Sequence, residues 1–110
     1  MYYVVKRFEI SGSHHLELPY ESKCSCKHGH NWIITVHCRA EKLNEWGMVT
    51  DFTHIKRDVT DVLDHADINK VLPFNPTADN LARWFQERIE NCYRVEVRDS
   101  EGNLAIYEVD

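Results

Sequence analysis

The sequence predicts an α+β domain, a four-stranded antiparallel sheet with two helices on one face, in the order strand, strand, helix, helix, strand, strand. Three observations predict it. Apolar residues alternate over Tyr2 to Ser11 and over Asn31 to Ala40, the two-residue period of strands with one buried face. Helical spacing replaces that period between Phe52 and Leu63 and again after Thr77. Alternation returns over Tyr93 to Arg98 and Leu104 to Val109, and strands segregated from helices read as a helical layer against an antiparallel sheet. At 110 residues, with no repeat, low-complexity tract or linker, residues 1–110 form one domain.

The first strand places Val4, Phe8 and Ile10 on one side and Arg7, Glu9 and Ser11 on the other. A loop containing Pro19 follows. In the second strand Trp32, Ile34, Val36, Cys38 and Ala40 share a face, opposite Thr35, His37 and Arg39, and only Ile33 breaks the pattern. Phe52, Ile55, Val59, Val62 and Leu63 supply the first helix's apolar stripe, with Asp51 placed to cap its N-terminus. In the second helix Thr77 is the expected N-cap, Pro76 blocks backward extension, and Leu81, Trp84, Phe85 and Cys92 are apolar. A turn containing Glu101-Gly102-Asn103 joins the last two strands. Such a sheet has two free edges, and neither terminal strand carries a proline to blunt one, so association with further copies is expected.

Bulk composition narrows the function. A hydrophobic fraction of 43% suits a globular protein and is too high for disorder. The formal net charge is −5, with acids and bases interspersed, which argues against a nucleic-acid partner. The first residues lack a signal peptide's apolar core, and no run is long enough to span a bilayer, so the expected location is cytoplasmic and the expected partners exclude membranes. In a reducing compartment Cys24, Cys26, Cys38 and Cys92 are core filler, metal ligands or reactive thiols rather than a disulfide framework.

The stretch KCSCKHGHNW, Lys23 to Trp32, raises the question of metal. Cys24, Cys26, His28 and His30 occupy alternate positions, which suggests a structural zinc of two thiolates and two imidazoles. Geometry opposes it. Alternate strand residues lie about 6.5–7 Å apart, so Cys24 to His30 spans roughly 20 Å, too far for one tetrahedral ion. His28 and His30 can reach a common point, especially across Gly29, and the remaining ligand must come from elsewhere. His37 falls on the opposite strand face, His54 lies in the first turn of a helix, and His65, beside Asp64, suits proton transfer better. If the first strand keeps its register through SGSHH, His14 shares the face of Phe8 and Ile10, and His15 points away. His14, His28 and His30 are thus the best three-histidine set, one that leaves a fourth position open as in catalytic zinc sites. An H-x-H pair by itself also describes ordinary surface or core histidines.

Six segments occur here in the order of a known family: ISGSHHL (10–16), KCSCKHGHNW (23–32), GMVTDFTHIK (47–56), LDHADIN (63–69), NPTADNLARW (75–84) and VRDSEGNLAIY (97–107). The chain resembles the 6-pyruvoyltetrahydropterin synthase family over essentially its whole length. The spacing of Cys24 to His28-Gly29-His30 looks most like the family's 6-carboxy-5,6,7,8-tetrahydropterin synthase branch, which serves 7-deazaguanine (queuosine) biosynthesis.

The resemblance implies the tunnelling fold, in which four-stranded subunits close a barrel as trimers and two trimers stack into a hexamer, with active sites between subunits. His14, His28 and His30 match the family's zinc (Zn2+) ligands, and Cys24 matches its catalytic cysteine; Cys26 has no counterpart. Asp64 and His65 match the acid–histidine pair of proton transfer, supplied by a neighbouring subunit, and Thr77 matches a threonine of the pterin pocket. Asp99-Ser100 stands where the family usually has Glu-Thr, so Asp99 takes the place of the carboxylate that accepts the pterin's ring N–H and amine, one methylene shorter. The implied reaction converts the small-molecule substrate 7,8-dihydroneopterin triphosphate to 6-carboxy-5,6,7,8-tetrahydropterin, acetaldehyde and triphosphate. Pyruvoyl-type triphosphate elimination, an aldolase-like activity on the same scaffold, and a non-catalytic zinc-stabilised module are the rivals.

Overall fold

The computed structural model describes residues 1–110. Strand β1 (Tyr2–His14) pairs antiparallel with β2 (His28–Ala40) along its whole length, from Tyr2 opposite Ala40 to His14 opposite His28. β4 (Cys92–Ser100) pairs with β2, and β5 (Asn103–Glu108) pairs with β4, both antiparallel. The remaining strand, β3 (Ala66–Asp67), lies on the outer side of β1 and runs parallel to it, through Gly12–Ala66 and Ser13–Asp67.

The sheet therefore has five strands in the order β3-β1-β2-β4-β5, not the four expected from the sequence, and it is not wholly antiparallel. Two residues are too few to display a strand period, so β3 leaves no trace in the hydropathy pattern. Within one chain the sheet is open, with β5 at one edge and most of β1 exposed at the other.

The core lies on the face of β1 and β2 that carries the even-numbered residues. Ile10, Trp32, Ile34 and Val36 are sealed there, with Val95 and Val97 of β4 beside them. Helix α4 (Ala78–Arg88) covers this face with Leu81, Ala82 and Phe85, and the Phe85 ring meets Phe8 edge-on at 6.1 Å between centroids. Thr77 caps α4 as expected, its Oγ1 accepting from the Asn80 N–H at 3.1 Å. Cys38 and Cys92 are buried opposite each other in the β2–β4 ladder, where the neighbouring sulfur and burial push the Cys38 thiol far above its ordinary range. They are core filler.

The first predicted helix is corrected in form. It begins as α1 (Phe52–Ile55), capped by the Asp51 carboxylate on the Thr53 N–H at 2.9 Å. It then widens into a π-helical turn over Lys56–Thr60 and ends as α2 (Asp61–Leu63). Ile55, Val59 and Leu63, all buried, recur every four residues, which overshoots the 3.6-residue turn; the wider i→i+5 turn absorbs the drift. A further short helix, α3 (Ile68–Val71), follows β3, so the helical layer is more divided than two rods.

α3 presses directly on β1. A Cβ at Gly12 would stand 3.0 Å from Ile68 Cδ1 and 3.3 Å from its Cγ1, so an added methyl group would force the buried Ile68 side chain to give way. Gly12→Ala is expected to lower the unfolding free energy by about 1–2 kcal/mol in urea denaturation, and the double variant Gly12→Ala/Ile68→Val to regain part of it. Equal loss in the single and double variants would mean that the Ile68 contact is not what excludes a side chain.

Candidate metal centre

The β1–β2 register brings His14 directly opposite His28, with His30 two residues further along the same face. One ligand nitrogen from each of the three lies within 4.8 Å of the others. Trp32 forms the floor: its indole is fully buried, meets the rings of His14 and His30 edge-on at 4.8 and 4.9 Å, and donates to the Gly12 carbonyl at 3.2 Å.

Two backbone carbonyls orient the imidazoles. His14 Nδ1 lies 2.8 Å from the Pro76 carbonyl oxygen, and His28 Nδ1 lies 2.7 Å from that of Cys26. A carbonyl only accepts, so each Nδ1 carries the proton and each Nε2 keeps its lone pair. Those two Nε2 atoms face each other at 3.0 Å. With both Nδ1–H groups committed, neutral imidazoles offer no proton for a bond between them, and the pair calls for a shared cation. Nitrogens each about 2.0–2.1 Å from a tetrahedral zinc stand roughly 3.3 Å apart, close to the observed separation. The three histidines are a set able to hold a metal ion, and their outer hydrogen bonds are those of metal-ligating imidazoles.

Burial pushes His14 below the ordinary histidine value of 6.5; the Pro76 carbonyl opposes this, and the two neighbouring imidazoles reinforce it. Its side of the site faces a groove of about 400 Å³ lined by His14, Leu16, Thr77, Asp99, Asn103 and Ala105. Thr77 and Asp99, which sequence reasoning placed in one pocket, thus share this groove with a histidine of the triad. Asp99 Oδ1 is sealed from water without a hydrogen-bond partner. The β4–β5 ladder is irregular between Arg98 and Ser100, and Asp99 sits in that irregularity.

A second groove, of about 620 Å³, opens beside His30 and is lined also by Ser11, Ser13, Lys27, Asn31 and His65. His65 enters it just after the end of α2, with Asp64 preceding it in the chain. The Asp64 carboxylate accepts from the Ser11 N–H at 2.9 Å, and the His65 N–H donates to the Ser11 carbonyl at 2.6 Å. This bracket holds His65 at a positive φ of 60°, unusual for a residue with a side chain. Asp64 Oδ2 stands 3.6 Å from His65 Nε2, an ion-pair distance rather than a hydrogen bond, and the imidazole is exposed.

Cys24 is exposed in a short 3-10 turn, Lys23–Ser25, between the two strands. Ser22 Oγ caps that turn by accepting from the Cys24 N–H at 3.1 Å, and the Leu16 N–H donates to the Cys24 carbonyl at 2.7 Å. The turn is thereby tied to the segment that follows β1. Cys26, which the sequence leaves without a role, contributes its carbonyl rather than its thiol. Lys27 pairs with Asp67 at 3.0 Å and holds that carboxyl below the usual carboxylate range.

The profile of a family described as 6-pyruvoyl tetrahydropterin synthase matches residues 3–110. The chain belongs to that family. A relative from Pyrococcus horikoshii, provisionally named a 6-carboxy-5,6,7,8-tetrahydropterin synthase, is 36% identical across 89% of this chain and 86% of its own. A Pyrococcus furiosus relative named dihydroneopterin monophosphate aldolase is 40% identical across 56% of this chain and 54% of its own. The solved Caenorhabditis elegans 6-pyruvoyl tetrahydropterin synthase shares the fold, with a TM-score of 0.78 at 24% identity over 99% of this chain and 96% of that one. No helix is long and apolar enough to cross a membrane.

His14 gives metal-free protein a pH signature. Its folded-state value lies below that of the unfolded chain, so its contribution to stability is complete above pH 6.5 and is lost as pH falls toward the folded value. The urea midpoint of metal-free protein is expected to fall between pH 7.5 and pH 5.5, more steeply than in His14→Gln. Parallel pH profiles for the two proteins would contradict this.

Proposed function

We propose that this protein is a zinc-dependent lyase that converts 7,8-dihydroneopterin triphosphate and water to 6-carboxy-5,6,7,8-tetrahydropterin, acetaldehyde and triphosphate, within 7-deazaguanine (queuosine) biosynthesis. The observation that carries the reading is the pair of outward-committed imidazoles, His14 and His28, whose lone pairs converge beside His30, with His14 lining one groove and His30 another. Family membership and the name of the Pyrococcus horikoshii relative supply the pterin and the branch.

The donor set suits zinc. Three neutral imidazoles leave the ion's double charge undiminished, and no thiolate is among them. Bound zinc supplies a Lewis acid that polarises the vicinal oxygens of the substrate side chain and favours loss of the adjacent C–H proton. The chain's own residues do the rest. Asp99 Oδ1 and Thr77 receive the pterin ring in the groove beside His14, the carboxylate accepting from a ring N–H and the exocyclic amine. Cys24 Sγ takes and returns the carbon-bound proton. His65 Nε2 exchanges the second proton with the substrate oxygens, with Asp64 beside it to stabilise the imidazolium.

In this reading the free edges of β1 and β5 are closed by other copies of the chain, as a trimer or a dimer of trimers, which excludes water from the grooves and brings residues of adjacent subunits to one substrate. The aldolase name of the Pyrococcus furiosus relative keeps carbon–carbon cleavage without the carboxylate product as the second reading.

Product analysis by mass spectrometry decides among them. Zinc-loaded protein given 7,8-dihydroneopterin triphosphate is expected to yield acetaldehyde and the 6-carboxy product; full turnover without acetaldehyde would refute the assignment. Cys24→Ala is expected to lower kcat by about 100-fold or more while one zinc per chain remains. His28→Ala is expected to lose both metal and turnover, and one zinc per chain in that variant would overturn the ligand set.

A further inference from the structure

We infer that Cys24 and Cys26 are a reversible disulfide site whose closure frees His28 from the carbonyl that orients it, so that oxidation of the turn and metal binding at the histidines oppose each other. The inference rests on the reading of His14, His28 and His30 as metal ligands. The Cys26 thiol takes no part in the site described above, both thiols are exposed, and only Ser25 separates them.

Ser25 sets how far apart the two residues stand. It belongs to the 3-10 turn, in which the Ser25 N–H donates to the Ser22 carbonyl and the Cys26 N–H to the Lys23 carbonyl, each at 3.2 Å. In such a turn Cα atoms two positions apart lie about 5–6 Å from each other, inside the range of about 4.4–6.8 Å that disulfides span. Side chains two apart on a helical turn do not face one another, so the bond forms only when one residue rotates. Cys24 is the fixed one. Its N–H donates to Ser22 Oγ at 3.1 Å, and its carbonyl accepts from the Leu16 N–H at 2.7 Å. Cys26 ends the turn in extended backbone, at φ −89° and ψ 140°, and its carbonyl accepts from His28 Nδ1 at 2.7 Å. The rotation therefore falls on the residue whose carbonyl fixes the His28 ring.

A small-molecule disulfide of the glutathione class balances the step as oxidant. One cysteine thiol attacks it, giving a mixed disulfide and one released small thiol. The other attacks the cysteine sulfur of that adduct, which forms the Cys24–Cys26 bond and releases the second. Two electrons and two protons pass from the turn to the small disulfide. A metal ion that holds His28 holds the Cys26 carbonyl with it, so occupancy and ring closure share one coupling factor that can be read from either side.

Metal-free and zinc-loaded protein are equilibrated in glutathione redox buffers, quenched by alkylation and mapped as unreduced peptides by mass spectrometry. Metal-free protein is expected to give a peptide holding Cys24 and Cys26 that is lighter by two hydrogens, and zinc to shift the equilibrium toward the dithiol about tenfold or more. Zinc affinity of the oxidised protein, measured by competition with a chromophoric chelator, is expected to fall by the same factor and to return after reduction with a phosphine. Cys26→Ser keeps the carbonyl and cannot close the ring. It stops at the glutathione adduct of Cys24, and its zinc affinities before and after treatment agree within about threefold. Absence of the Cys24–Cys26 bond in oxidised metal-free protein, equal zinc affinity of the reduced and oxidised forms, or the parent's loss of affinity repeated in treated Cys26→Ser would overturn the inference. Reduced, zinc-loaded protein that turns over no pterin would refute the proposed function instead, and the thiol and zinc measurements would still decide the coupling.

Discussion

The registration of β1 against β2 governs everything else in this fold. His14 and His28 end a ladder that begins at Tyr2 and Ala40, and a slip of one residue would send His14 to the far face while leaving His28 in place. The core forbids that slip. Phe8 opposite Ile34 and Ile10 opposite Trp32 share the side that α4 covers, and reversing the parity of either strand would expose its apolar residues. The same alternation that buries Trp32 and Ile34 therefore converges the imidazoles. Packing decides where the three imidazoles meet.

Convergence alone would leave the rings free to rotate. Orientation comes from two carbonyls that belong to no strand pairing. Pro76 precedes the capping Thr77, so the start of α4 is anchored on His14, and the cap, the proline carbonyl and the groove beside Asp99 form one local unit. The Cys26 carbonyl does the same for His28 from the turn that carries Cys24. Both sides of the site are thus referred to the imidazoles by bonds to their outer nitrogens, which is how outer-shell partners tune a metal centre.

Much of this was legible in the sequence, and the boundary follows physical lines. Features that repeat with a period could be read: two long strands, the stripe of α4, and the parity that selects His14 over His15 and His37. Caps could be read because Asp51 and Thr77 act through side chains. Features made by the backbone could not. The carbonyls of Pro76 and Cys26 carry no residue signature, though the proline before a helix cap was a usable hint. β3 is too short to show a period, and the π turn appears only as a four-residue recurrence that an ordinary helix also approximates. Lys27 and Asp67 lie forty residues apart in sequence, with nothing to mark them as partners until the loop folds back on β1.

Asp99 shows how a backbone can answer a shortened side chain. Asp99 stands where the resemblance places a glutamate, and its side chain is one methylene shorter. Here the ladder breaks between Arg98 and Ser100, the kind of irregularity that bends a strand and re-aims a side chain. Arg98 donates to the Glu101 carbonyl at 2.6 Å and fastens the following turn in that shape. The result is a carboxylate oxygen closed off from water and bonded to nothing. An unpaired buried acceptor costs about 1–3 kcal/mol, and more when charged. A neighbouring imidazole cannot supply the missing donor, because His14 has given its Nδ1 proton to Pro76 and turned its Nε2 toward His28. On the proposed reading the donor comes from the pterin, and the strand's irregularity and the oxygen's isolation serve one binding site.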